Sequence, residues 1–282
     1  MYDSSLSFCT RITRIERIME IDNIYNMDCL EGMHQMEAES VDLTVTSPPY
    51  DNLRTYNGYC FDFENIAREL YRVTKQGGVV VWVVGDATID GSETLTSFRQ
   101  AIGFREIGFR LHDTMIYASD KPPLTHNRYE QAFEYMFVFS KGKPKTFNPI
   151  MVPTIQAGID KGIRTFREAD NQLRLAHKNE LVADKKIKGN IWFYDTGNMC
   201  STKDSIAFNH PAIFPELLVR DHINSWSNEG DIVLDPFMGS GTTAKVARAL
   251  GRHYIGFEIS AEYCDIIRQR LEQTKTLFDL QS

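Results

Sequence analysis

Cysteine is scarce in this chain, and metal-ligand patterns are missing from it. Its 282 residues include five cysteines, and no two of them form a CxxC pair. An odd and scattered set argues against a zinc ribbon, a paired redox motif or a disulfide framework, and indicates reduced thiols in a cytoplasmic compartment. The seven histidines show no ligand spacing either. We therefore expect a fold that needs no disulfide and a site that uses no metal.

Positive charge and long apolar runs are lacking as well. Lys and Arg number 31 against 38 Asp and Glu, which gives a formal net charge of −7 and argues against uniform adhesion to nucleic acid or anionic membrane. The longest purely apolar run, residues 79–84, is far shorter than the roughly 20 residues of a membrane-spanning helix. The N-terminus has no apolar signal core. We expect a cytoplasmic protein without membrane attachment, in which a polyanion would meet a local basic patch.

Apolar, β-branched runs alternate with helix-length amphipathic segments along most of the chain. This alternation, with 42% hydrophobic residues, predicts one α/β domain with a parallel sheet covered by helices, carrying an insertion. The predicted strands are 41–46, 78–85, 109–119, 133–141, 231–237 and 253–260. The predicted helices are 63–78, which should end at Gly77 and Gly78 as a C-cap, 214–230 and 241–251.

Residues 150–200 interrupt this rhythm. They are polar and show no sustained strand periodicity, and positions 151–190 hold eight Lys and Arg against five Asp and Glu. A basic insertion in an acidic chain is a plausible place for phosphate contacts. A solvated surface excursion with ordinary charge explains the same composition equally well.

A nucleoside-binding unit is indicated by residues 231–260. An apolar strand ends at Asp235, a turn with Gly239, Ser240 and Gly241 follows, a helix starts at residue 242 or 243, and the next strand ends at Glu258. Glycines let the backbone approach a ligand, and an acid after the second strand can accept hydrogen bonds from ribose hydroxyls. The turn is not GxGxxG and lacks the P-loop lysine, so a dinucleotide or a triphosphate is less favoured. Glycines that merely make a tight turn are the alternative.

Two segments carry a resemblance to a known family. "DPFMGSGTT" (235–243) resembles the S-adenosylmethionine motif, and "TSPPY" (46–50) the catalytic motif, of DNA methyltransferases that modify exocyclic amino groups. The catalytic motif comes first, as in the circularly permuted β-class. The resemblance implies a Rossmann-like sheet with helices on both faces, formed by a catalytic half at 20–150 and a cofactor-binding half at 201–275. Residues 150–200 then occupy the place of the target recognition region.

The same resemblance assigns the cofactor contacts. The segment with Asp28 and Cys29 is similar to the family block beside the cofactor adenine, and "NHPAIFPELL" (209–218) to the segment lining its methionine end. The implied cofactor-binding residues are Asp28, Cys29, His210, Pro211, Asp235, Pro236, Phe237, Gly239, Ser240, Gly241, Thr242 and Glu258.

The catalytic residues implied by the resemblance are Ser47, Pro48, Pro49 and Tyr50. An exocyclic amine is a poor nucleophile because its lone pair is delocalised into the ring. The Ser47 hydroxyl and the Pro48 carbonyl can accept its N–H groups in a geometry that the prolines stiffen. Tyr50 offers a ring for stacking a base flipped out of the duplex. In this family serine at the first position is commoner among cytosine-N4 enzymes, so Ser47 favours cytosine N4 over the alternative, adenine N6.

The implied substrate is double-stranded DNA. Its predicted contacts are Arg54, Lys161, Arg164, Arg167, Arg174, Lys185 and Lys186, with Tyr56 as a further candidate. The resemblance also implies a prokaryotic or phage host. It leaves open whether the chain forms a homodimer and whether a cognate restriction endonuclease accompanies it, and it gives no recognition sequence, because a few groove-facing side chains decide that. RNA and protein-amide methyltransferases share the Pro-Pro-Tyr corner but place the cofactor motif first. A catalytically silent nucleoside- or DNA-binding module is the more remote alternative.

Overall fold

A computed structural model gives the fold. The structure describes residues 19–49, 61–119, 129, 131–160, 164–177, 180–195, 197 and 200–274. The strands are β1 (Asn23–Asn26), β2 (Val41–Thr46), β3 (Thr74–Val84), β4 (Thr88–Ile89), β5 (Ser92–Glu93), β6 (Arg110–Ala118), β7 (Phe133–Ser140), β8 (Met151–Pro153), β9 (Arg164–Arg167), β10 (Leu173–His177), β11 (Lys185–Ile187), β12 (Ile191–Phe193), β13 (Ile232–Asp235) and β14 (His253–Glu258). The helices are α1 (Cys29–Met33), α2 (Phe63–Val73), α3 (Thr96–Ile107), α4 (Glu216–Trp226), α5 (Thr242–Ala249) and α6 (Ala261–Glu272).

An eight-stranded sheet forms the centre of the fold, in the order β1-β14-β13-β2-β3-β7-β6-β12. Strands β1, β14, β13, β2 and β3 run parallel, as the sequence pattern predicts. Strand β7 runs antiparallel to both of its neighbours, β3 and β6, so the predicted parallel sheet is interrupted by an antiparallel strand at this position. An apolar β-branched run looks the same in either direction, and only the partners of β7 decide its polarity.

Helices cover both faces of the sheet because its strands are apolar on both sides. In β3, Val79, Val81 and Val83 pack with α4, α5 and α6, whereas the alternate positions, including Trp82, pack with α1, α2 and α3. This alternation follows from the two-residue side-chain period of a strand. The result is a three-layer α/β/α fold, as expected.

The end of α2 differs from the prediction. The helix ends at Val73, and Thr74 already has an extended backbone, so the predicted C-cap at Gly77 and Gly78 was wrong. The Thr74 hydroxyl donates to the Leu70 carbonyl at 2.6 Å and satisfies one of the terminal helix acceptors. The glycines instead belong to β3, which therefore starts four residues earlier than the predicted strand at 78.

Residues 151–193 contain five short strands that the polar sequence does not reveal. Strands β8 and β11 pair antiparallel, and so do β9 and β10, as two ribbons separate from the main sheet. Strand β12 pairs parallel with β6 and adds an edge to the main sheet. Their lengths of three to five residues explain why no sustained periodicity marks them. Within the described ranges, no helix is long and apolar enough to span a membrane.

Candidate active site

A cavity of about 850 Å³ opens at the edge of the sheet where β1, β2, β13 and β14 end. Ligands bind at this edge in open α/β sheets because the strand-to-helix loops gather there. The predicted residues that line the cavity are Cys29, Ser47, Pro48, Pro49, His210, Pro211, Asp235, Pro236, Phe237, Gly239, Ser240, Thr242 and Glu258. Two motifs roughly 190 residues apart in the sequence thus face one space.

The turn after β13 depends on glycine at two positions. Gly239 has a φ of +52° and Gly241 one of +82°, in the left-handed region that other residues rarely adopt. A Cβ on Gly239 would lie 3.1 Å from the His210 ring, and one on Gly241 would lie 2.5 Å from Ile267. Gly241 is the N-cap residue of α5 and packs against α6, and it is not one of the residues that line the cavity.

Glu258 connects the end of β14 to this turn. One carboxylate oxygen accepts from the Gly239 N–H at 2.9 Å, and the other accepts from the Ser260 N–H at 2.8 Å. Burial raises the pKa of the Glu258 carboxyl, against the effect of these two hydrogen bonds. An ionised carboxylate has about four acceptor positions. Glu258 can therefore hold the turn and still accept hydrogen bonds from a ligand.

Asp28 has a structural position at the start of α1. Its carboxylate accepts from the N–H groups of Leu30 at 2.8 Å and Glu31 at 3.2 Å, which is the bonding of a helix N-cap. Its side chain is not one of those that line the cavity, but its neighbour Cys29 is buried and lines it. The cap fixes the position at which α1, and Cys29 with it, approaches the cavity.

Two buried hydrogen bonds join the segments that carry the two motifs. The Thr46 hydroxyl at the end of β2 donates to the Asp235 carboxylate at the end of β13 at 2.6 Å. The Thr243 hydroxyl donates to the Val45 carbonyl at 3.2 Å. Burial raises the pKa of Asp235, although the hydrogen bonds from Thr46 and the Phe237 N–H favour its ionised form. Ser47, the next residue after Thr46, is thereby held in register with the glycine turn.

Tyr117 and Glu134 line the same cavity as Ser47 and were missed by the sequence analysis. Tyr117 lies in β6 and Glu134 in β7, directly opposite each other in the antiparallel register. Tyr117 is buried, and burial together with the Glu134 charge raises its pKa. The antiparallel direction of β7 brings Glu134 to this edge of the sheet. No local sequence pattern predicts that direction.

Other predicted site residues cannot be placed in the cavity. Tyr50, Arg54, Tyr56 and Lys161 lie outside the described residues. The backbone of Arg164 lies in β9, and its side chain is outside the description as well.

The remaining predicted DNA contacts are exposed on the two ribbons. Arg174 forms an ion pair with Glu168 at 3.0 Å, and Arg167 donates to the Asn171 carbonyl at 3.0 Å, so local partners hold both side chains. Lys185 and Lys186 are exposed on β11. In the part of the chain that the structure describes, no group of three His, Cys, Asp or Glu residues could hold a metal ion.

Comparison with known proteins gives concordant results. The model of the DNA methylase family that groups N6 and N4 methyltransferases matches residues 41–269. The orphan methyltransferase M.BamHII of Bacillus amyloliquefaciens is 59% identical over 237 residues, covering 83% of this chain and 89% of the relative. The structure of a putative DNA modification methylase from Thermus thermophilus, complexed with S-adenosyl-L-methionine, is 24% identical with a TM-score of 0.59, covering 89% of this chain and 95% of that one. The PvuII DNA methyltransferase, titled cytosine-N4-specific, is 21% identical with a TM-score of 0.62, covering 94% and 97%.

Proposed function

Because the chain belongs to the DNA methylase family of N6 and N4 methyltransferases, we propose that it transfers a methyl group from S-adenosylmethionine to an exocyclic amino group of a base in double-stranded DNA. The observation that carries this proposal is the shared cavity. Ser47, Pro48 and Pro49 face the same space as Gly239 and Glu258, and the Thr46–Asp235 hydrogen bond keeps the two motifs together.

The cavity suits S-adenosylmethionine in size and chemistry. Its volume of about 850 Å³ lies within the range of roughly 300–1,000 Å³ that is typical of ligand pockets. Glu258 offers carboxylate oxygens to ribose hydroxyls, while Cys29, Phe237 and Phe257 give an apolar lining suited to an adenine ring. The bound cofactor would supply an electrophilic methyl group on a sulfonium.

Ser47 and the two prolines act on the other reactant. The Ser47 hydroxyl and the Pro48 carbonyl accept the N–H groups of the target amine, which favours a more tetrahedral nitrogen with its lone pair free for the methyl carbon. In the transfer, the nitrogen would take the methyl group from the sulfonium, the electron pair of the S–CH₃ bond would stay on the sulfur, and the amine proton would pass to solvent. Because the prolines fix φ near −65°, the acceptors are placed before the substrate arrives and need no reorganisation during the reaction.

The target base is flipped out of the duplex in this proposal. A paired amine is unreachable, and unstacking costs a few kcal/mol that pocket contacts offset. Ser47 favours cytosine N4, with adenine N6 as the alternative. Tyr117 and Glu134 lie where they can contact the base, since they line the cavity with Ser47. The catalytic motif precedes the cofactor motif in the chain, which supports a circularly permuted methyltransferase domain. Residues 20–150 would form its catalytic half and residues 201–275 its cofactor-binding half.

The region 150–200 is proposed to contact DNA. Lys185 and Lys186 are exposed on its β11 strand and can approach phosphates. A homodimer, a cognate endonuclease and a cytoplasmic location stay predictions.

Methyl transfer to DNA tests the function directly. The purified chain is incubated with tritiated S-adenosylmethionine and unmethylated DNA of diverse sequence, and the labelled bases are separated after hydrolysis. We expect label in 4-methylcytosine, whereas label in 6-methyladenine would establish the alternative. Tyr50→Ala should lower kcat and leave cofactor affinity intact, because its ring is expected to stack on the base. A protein that binds the cofactor normally but labels no DNA would refute the proposal.

A further inference from the structure

A cluster of charges around a buried arginine contacts the glycine turn, and the chemistry above does not use it. Its centre is Arg270 in α6, a guanidinium on a residue that is 1% exposed. Burying a cation without partners costs several kcal/mol, so its surroundings must supply acceptors. They come from the glycine turn itself and from the segment that leads into α4.

Arg270 holds the turn from α6. Its Nη1 donates to the Ser240 carbonyl at 2.6 Å and to the hydroxyls of Ser240 and Thr242, both at 3.2 Å. Ile267, one helical turn earlier on the same face of α6, packs against Gly241. One face of α6 therefore contacts three consecutive residues of the turn, 240–242.

Two carboxylates complete the coordination of Arg270. Its Nε lies 3.0 Å from Asp204 Oδ2, and its Nη2 lies 2.8 Å from Glu216 Oε1. Lys245 Nζ lies 2.7 Å from the same two oxygens. Two cations face two anions, so the cluster is neutral. Burial alone would raise the pKa of Asp204, but hydrogen bonds from Lys245 and Arg270 outweigh it and hold that pKa low.

The carboxylates connect Arg270 to another wall of the cavity. Asp204 and Glu216 bracket the segment that contains His210 and Pro211, which line the cavity beside the glycine turn. Arg270 thus bonds directly to the glycine turn and, through Asp204 and Glu216, to the segment that carries His210. The hydrogen bond from Arg270 also directs the Ser240 carbonyl toward α6, so the negative end of this peptide dipole does not point into the cavity. That direction favours a ligand with a carboxylate, such as the methionine end of S-adenosylmethionine.

We propose that Arg270 is a positioning residue that aligns the glycine turn with the His210 wall for cofactor binding. The role in cofactor binding rests on the proposed function. The role in holding the turn rests only on the hydrogen bonds from Arg270 to Ser240 and Thr242. Lys245 is the matched comparison. It shares both carboxylates with Arg270, but among the described contacts its ammonium donates to no atom of the turn.

The test compares Arg270→Lys with Lys245→Met, and with Arg270→Met where that variant folds. Amide hydrogen exchange at residues 239–242 is measured in the full chain without ligand, and calorimetry gives the affinity for S-adenosylmethionine. Melting temperatures report the loss of stability. Arg270→Lys keeps the charge and loses the forked geometry that reaches the turn and the carboxylates together.

We expect Arg270→Lys to speed exchange in the turn at least about tenfold and to raise the Kd and KM for the cofactor by about tenfold, with kcat at saturation within about threefold. Lys245→Met should change exchange and Kd less than about twofold even at an equal loss of melting temperature. The proposal would be overturned if both variants changed amide exchange in the turn and the cofactor Kd to the same extent. It would also be overturned if Arg270→Lys left exchange in the turn unchanged. A wild-type chain that bound no cofactor would refute the proposed function, while the exchange data would still decide whether Arg270 holds the turn.

Discussion

Glu258→Gln isolates the charge at the end of β14. The carboxylate accepts from the Gly239 and Ser260 N–H groups and is proposed to accept from ribose hydroxyls as well. Glutamine has the same shape but only one acceptor oxygen, and it brings an NH₂ that cannot bond an N–H donor. The substitution therefore weakens the acceptor for the ligand and leaves one backbone donor of the turn without its partner.

The size of the effect follows from the hydrogen bonds involved. A hydrogen bond to a charged group contributes roughly 1.5–3 kcal/mol. Because about 1.4 kcal/mol corresponds to a tenfold change in equilibrium constant, the Kd for S-adenosylmethionine should rise roughly 10- to 150-fold. The unpaired backbone donor should also lower the free energy of unfolding by about 1–3 kcal/mol.

Calorimetry over a range of pH gives the sharpest form of this experiment. Burial raises the pKa of Glu258, and the ionised form is the better acceptor. Wild-type affinity should therefore be full above that pKa and should fall as pH drops through it, whereas Glu258→Gln should lack this acid-side loss. Glu262→Gln, an exposed acid in the first turn of α6, is the control and should behave as wild type. Equal affinity of wild type and Glu258→Gln would refute the ribose assignment.

Three further predictions concern the link between the motifs, a buried histidine and the DNA contact. Thr46→Val should cost about 1–3 kcal/mol in thermal unfolding and lower kcat, because the Asp235 carboxylate loses a buried donor; Thr46→Ser should retain both. His222 is fully buried, and its burial, assisted by the charge of Lys188, lowers its pKa from 6.5 to about 3. The unfolded chain then binds the proton below pH 6.5, so denaturant titrations should show about 2 kcal/mol less stability at pH 5 than at pH 7 from this group, and a His222→Leu variant with the same slope would contradict this. Lys185→Ala with Lys186→Ala should reduce the slope of log affinity for DNA against log salt by roughly 0.9 for each lost phosphate contact; an unchanged slope would exclude both lysines from the interface.

Local pattern was enough to locate much of the site. The predicted strand at 41–46 is β2 to the residue, the strand before the glycine turn ends at Asp235, α5 begins at Thr242 and β14 ends at Glu258. These features depend on short-range physics: β-branched residues favour extended backbone, and glycine permits the left-handed turn. The cavity then gathers most of the residues that the two motifs imply.

Features that depend on distant partners could not be predicted in the same way. Helices α1, α3 and α6 and strand β1 of the main sheet were not among the predicted elements. The polarity of β7, which puts Glu134 opposite Tyr117, is invisible in its own residues. The end of α2 is decided by a buried Thr74 at the start of β3, although the glycines that follow are the stronger local signal.

The sequence by itself determined which residues are proposed to carry the chemistry, because "TSPPY" and "DPFMGSGTT" are local strings whose functional groups can be identified without the fold. Only the tertiary structure decided how they work together. The Thr46–Asp235 bond spans 189 positions, and Arg270 reaches back to Ser240, Glu216 and Asp204. Such contacts form because buried polar and charged groups must find partners wherever the fold brings them, and the residues next to them in the chain say nothing about which partners those will be.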